Sequence, residues 1–142
     1  MSDTMNELTS LLHEGGYTLV VRQGATTRTF TRRGVADLLD LIDHDPAFLD
    51  GASVADKVVG KGAAALMAKG GVSRLHTDVV SRPALELLQS AGIDTAYDRL
   101  VPHIVNRAGT DWCPVERLCH GLESVDAMTD AIRAFVNNMK QQ

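Results

Sequence analysis

"GASVADKVVGKGAAAL", residues 51–66, decides how the middle of this chain is built. Small residues dominate it, yet two lysines and an aspartate lie among them. Gly60-Lys61 invites comparison with the phosphate-cradling loop of nucleotide hydrolases, G-x-x-x-x-G-K-S/T. The comparison fails at three points: Ala55 stands in place of the first glycine, Gly62 in place of the magnesium-binding hydroxyl, and no strand is evident before the loop. A helix accounts for the stretch better. Ser53 followed three residues later by Asp56 matches a capping box. Ala55, Val58, Val59, Gly62, Ala63, Leu66 and Met67 then share one stripe, while Lys57 and Lys61, four apart, are neighbours on another face. Gly60 and Gly62 each cost about 1 kcal/mol inside a helix, so a helix that keeps them needs close packing or room for a ligand. Its N-terminal end, with Ser53, Asp56, Lys57, Gly60 and Lys61 at hand, suits a small anion because the helix dipole favours negative charge there.

On the N-terminal side, Leu8, Leu11 and Leu12 recur at helical spacing until Gly15-Gly16. "YTLVVRQGATTRTFT" reads as two strands around a turn at Gln23-Gly24-Ala25. From Gly34, Val35, Leu38, Leu39 and Ile42 mark a helix that Pro46 closes. On the C-terminal side, "VSRLHTDVVS" suits a strand, Pro83 opens a short helix that Gly92 ends, and "IDTAYDRLV" suits another strand. "NRAGTDW" reads as a loop, "CPVERLCHGLE" as a helix start, and a last helix runs from about Ser124. The hairpin is antiparallel, and the later strand–helix–strand unit requires a parallel crossover. The expected fold is α/β: one domain over residues 1–142, a mixed sheet in a three-layer α/β/α arrangement.

Bulk properties narrow the function classes. The chain has 142 residues and a formal net charge of −4, so nothing suggests a basic groove for nucleic acid. No apolar run is long enough for a membrane span. The start lacks a basic region before an apolar core, unlike a signal peptide. Two cysteines, Cys113 and Cys119, are too few for a disulfide scaffold and fit reduced thiols in a cytoplasm. A homo-oligomer is left open.

Cys113 precedes Pro114 at a helix N-cap, where thiol pKa values fall. That placement makes it a candidate nucleophile, with packing as the alternative. Glu116, at the third helical position, is placed to cap amides of its own helix. Arg107 has the fork geometry to grip a phosphate or carboxylate. Trp112 either stacks on a ligand or covers the helix end. His13, His44 and His103 have no partners at diagnostic spacing. His76-Thr77-Asp78 lies in a strand, and no residue set is assigned to a metal or other cofactor.

"GASVADKVVGKGAAALMAKGGV" together with "LVPHIVNRAGTDWCPVE" resembles a family of small prokaryotic proteins of unknown function whose fold is similar to that of cytidine deaminases. The likeness runs from about Leu8 to Glu123. It implies a deaminase-like order of helix, two strands, helix, strand, helix, strand. The zinc chemistry of cytidine deaminases does not carry over. Zinc deaminases need His or Cys with a Glu two residues on, then P-C-x-x-C at the next helix. Here the expected central helix opens Ser53-Val54-Ala55-Asp56, and the next opens Ser81-Arg82-Pro83-Ala84.

The resulting expectation is a zinc-free domain that binds a small anionic, nucleotide-like ligand. Cys113, Asp56 and Lys57 are its chemical groups, and Ser53, Gly60, Lys61 and Arg107 its binding groups. Because no complete nucleophile–base set is legible, a non-catalytic regulatory or protein-interaction module is the alternative. In open α/β sheets the loops that follow the parallel strands face the ligand crevice, which places Cys113 beside Asp56 and Lys57.

Overall fold

The computed structural model describes residues 2–32, 35–106 and 108–140. Among them six α-helices accompany a five-stranded open sheet of order β2-β1-β3-β4-β5. The elements are α1 (Ser2–Glu14), β1 (Leu19–Gln23), β2 (Thr26–Phe30), α2 (Ala36–His44), β3 (Ser53–Val59), α3 (Lys61–Gly70), β4 (Arg74–Ser81), α4 (Arg82–Ser90), β5 (Asp94–Val101), α5 (Pro114–Cys119) and α6 (Val125–Lys140). β1 pairs antiparallel with β2 and with β3, whereas β3–β4 and β4–β5 are parallel. No helix among the described residues is long and apolar enough to cross a membrane.

The flanking elements form where periodicity places them. The quoted stretch does not: residues 53–59 form the central strand, not the first turns of a helix. Two periods compete there. Ala55, Val58 and Val59 satisfy a helical stripe, but β-branched Val54, Val58 and Val59 also suit a pleated surface. Tertiary pairing decides: Val54 lies in register between Val21 and Leu75, and Ala55 between Val20 and His76. Side-chain alternation then sends Val54 to one side and Ala55 to the other. The Ser53–Asp56 capping-box match is therefore coincidental. The helix begins at Lys61, with Gly60 as its N-cap.

The sheet separates two unequal cores. On one side Leu8 and Leu12 of α1 pack on Val20 and Ala55. On the other, α2 through α6 enclose a larger core built on Val21, Val54, Leu66, Met67, Leu88 and Ile132. Gly62 answers why the helix carries glycine so near its start. A Cβ there would lie 2.3 Å from Val115 Cγ1 and 3.3 Å from Ile132 Cδ1. Its bare backbone lets α3 sit against both α5 and α6.

Candidate functional site

β3 ends at Val59, and one residue later α3 begins. The abrupt hand-over leaves the first amides of α3 without a local side-chain cap. Helix starts require acceptors for those amides, and here the acceptor comes from far along the chain. Glu116 of α5 is buried and takes the Lys61 amide on Oε1 at 2.8 Å and the Ile104 amide on Oε2 at 2.6 Å. The first amide of α3 is thus capped by the protein's own carboxylate. Glu116 serves α3 and the loop after β5, not the amides of its own helix.

Beside this junction lies a cleft of about 1020 Å³. Its floor is Asp56, Lys57 and Val58 of β3 with Gly60 and Gly62 of the α3 start. The start of α2 contributes Asp37, with Arg32 beside it. Cys113 and Glu116 line another wall, and Ile104, Val105, Phe135 and Met139 make much of the rest apolar. The carboxyl of Asp56 is pushed up from 3.8 to about 7, chiefly by burial, against the pull of hydrogen bonds from the Val58 and Lys57 amides. Lys57 makes no ion pair among the described residues. Arg32 donates to Asp37 at 2.6 Å and also to Asp40, and those bonds hold its guanidinium charge in place. One oxygen of Asp37 is buried without a hydrogen-bond partner among the described residues.

The structure brings Asp56, Lys57, Gly60 and Cys113 around one cleft. Ser53 and Lys61 fall elsewhere. Ser53 sits at the opposite end of β3, buried, and accepts from Arg74 at 3.2 Å. Lys61 Nζ donates to the carbonyls of His120, 3.2 Å, and Leu122, 2.8 Å, closing the end of α5. Lys57 and Lys61 do not share a helix face, because the strand–helix junction lies between them. Arg107 lies outside the described residues.

Cys113 is half-buried at the N-cap of α5, and its amide donates to the Ile104 carbonyl at 2.8 Å. Cys119 is fully buried, and burial pushes its thiol up to about 11. Trp112 stacks on His103 at 3.7 Å and meets His120 edge-on at 4.9 Å, so its ring packs the loop onto α5.

Arg32, Asp37 and the reach of Glu116 escaped the sequence reading. Glu116 and Lys61 are 55 positions apart, and no local pattern links them. Arg32 and Asp37 had a weak signal, a basic residue shortly before an acidic helix start.

The family model for TM1506, a domain of unknown function (DUF1893), matches residues 7–136. The chain belongs to this family. The crystal structure of a DUF1893 family protein, TM1506 from Thermotoga maritima, superposes with a TM-score of 0.87 at 23% identity. The match covers 94% of this chain and 90% of that one. At that identity the likeness establishes the fold. No curated protein matches the chain.

Proposed function

We propose that the cleft at the end of β3 binds a small nucleotide-like ligand, with Asp56 as its proton-exchanging group. The observation that carries this reading is the convergence of Asp56, Lys57 and Cys113 on one largely apolar cleft, where burial pushes the Asp56 carboxyl up to about 7. Carboxyls shifted toward neutral pH in a cleft mark sites that exchange protons. In open α/β sheets, ligands bind beyond the carboxyl ends of the parallel strands. An apolar wall of Ile104, Val105, Phe135 and Met139 suits a flat ring. Lys57 supplies the charge for an anionic group, since Glu116 already occupies the α3 amide. Cys113 faces the same space as a second reactive group.

The fold reading that goes with this is cytidine-deaminase-like. It is supported by the order helix, hairpin, helix, then strands and helices in alternation, on a sheet with an antiparallel hairpin and three parallel strands. The heads of α2 and α3, where zinc deaminases carry their ligands, do not fit a catalytic zinc. They read Ala36-Asp37 and Lys61-Gly62-Ala63, with neither His-x-Glu nor Cys-x-x-Cys.

A thermal-shift series with nucleosides, nucleoside monophosphates and sugar phosphates tests the reading. A ligand at one hundred times its dissociation constant should add about 2.7 kcal/mol. Lys57→Met should abolish the response to phosphorylated compounds. A flat response across the series in the wild type, with no NMR shift at Asp56 or Cys113, would overturn it and favour a module that binds a protein partner.

A further inference from the structure

A second cluster lies across β4 and β5. His76 and Asp78 are two apart on β4. Asp98 on β5 stands beside Asp78, since Thr77 pairs with Tyr97 and Val79 with Arg99. The ligand-type atoms of His76, Asp78 and Asp98 all lie within 4.8 Å of one another. His13, in the last turn of α1, reaches the same point, with Nε2 2.9 Å from each oxygen of Asp78. None of the four lines the cleft described above.

Three features separate this cluster from an ordinary surface ion pair. His76 Nε2 is inaccessible to solvent and has no hydrogen-bond partner among the described residues, although its nearest carboxylate oxygen, on Asp78, is 3.9 Å away. Buried polar atoms are almost always satisfied, so this nitrogen requires an explanation. The gap is too long for a hydrogen bond. It is close to the separation of about 3.4 Å between two ligands that each sit about 2.1 Å from one tetrahedral ion. Two carboxylates gathered within 4.8 Å also repel, and a bound cation relieves that repulsion.

We propose that His76, Asp78 and Asp98 bind a divalent first-row transition-metal ion, with His13 orienting the Asp78 carboxylate. The donor set is one imidazole nitrogen and two carboxylates, which suits zinc or manganese, whereas magnesium and calcium take all-oxygen surroundings. The histidine–carboxylate contact from α1 is the outer-shell pairing such sites use to fix a ligand. The ion would tie the end of α1 to the β4–β5 edge of the sheet.

Isothermal titration of chelator-stripped, full-length protein with zinc chloride, and separately with manganese chloride, tests this. Saturable one-to-one binding, with magnesium chloride giving none at the same concentration, is the expected result. Asp98 is exposed, so Asp98→Asn should melt like the metal-free wild type while binding zinc at least about tenfold more weakly. Changes to outer-shell partners alone cost about 10–100-fold, so His13→Gln should fall in that range. His76→Gln should weaken binding at least as much as Asp98→Asn. No saturable binding of either ion would overturn the proposal. So would binding that survives unchanged in both Asp98→Asn and His76→Gln, because the ion would then sit elsewhere.

Discussion

Two successive strand-to-helix junctions in this protein are solved in opposite ways. β4 runs into α4 with its own cap: Ser81 Oγ accepts the Ala84 amide at 3.3 Å, and a proline lies in the first turn. β3 runs into α3 with no side-chain cap of its own, and Glu116 closes it from another helix. A self-capped junction is finished locally and leaves nothing open. A junction capped from afar requires α5 and the loop after β5 to come to it, and their arrival builds the walls of the cleft. The cleft therefore lies at the junction that the local sequence leaves incomplete.

The change that should break this contrast most sharply is Glu116→Ala. It strands the Lys61 and Ile104 amides, and a buried unsatisfied donor costs about 1–3 kcal/mol. With the lost packing, a total of about 3–5 kcal/mol is expected in urea unfolding. Glu116→Gln keeps one acceptor and should lose roughly half as much. Hydrogen exchange should accelerate at Lys61 and Ile104 in both variants. Unchanged stability in both would mean that solvent serves these amides as well as Glu116 does.

The same contrast explains what could be read from the sequence. The hairpin, α2, α4, α6 and the strands β4 and β5 were legible because their signals are local: a glycine turn at Gly24, Pro83 in the first turn of α4, Gly92 after its end. The central strand was not. Its seven residues fit two periods, and only pairing with β1 and β4 selects between them. Misplacing the helix start by eight positions, from Ser53 to Lys61, carried Ser53 and Lys61 into the expected site. Asp56, Lys57 and Gly60 lie at the cleft for a different reason: they form the end of the central strand and the residue that follows it. Cys113 followed from the crevice rule for parallel sheets, which depends on chain order and not on the helix.

The second largest effect has the opposite sign. Asp56 is pushed up from 3.8 to about 7 by burial, so the folded protein holds a proton that the unfolded chain has released. Below about pH 4 both states are protonated and the group contributes no difference. Between about 4 and 7 stability falls as pH rises, and above about 7 the full penalty is present. The gap corresponds to at most about 4 kcal/mol. Asp56→Asn should therefore raise the melting temperature at pH 8 and change it little at pH 4. A constant offset at all pH values would show that the carboxyl is not perturbed. It would also remove the main support for Asp56 as a proton-exchanging group.

The smallest effect belongs to the self-capped junction. Ser81 is fully buried, and its hydroxyl serves one amide of α4. Replacing an N-cap serine by alanine costs about 1 kcal/mol, which for a chain of this size lowers the melting temperature by about 4 °C. Neither Ser81 nor any other residue of α4 lines the cleft. Ser81→Ala should therefore leave the pH dependence contributed by Asp56 where it is, and should not change the exchange rates of the Lys61 and Ile104 amides. The measurement that decides is a pair of melts, at pH 4 and pH 8, on wild type and Ser81→Ala. Equal losses at both pH values are expected. A loss as large as that of Glu116→Ala, or one that differs between the two pH values, would mean that the α4 junction is coupled to the cleft. Local and distant capping would then no longer distinguish the closed junction from the open one.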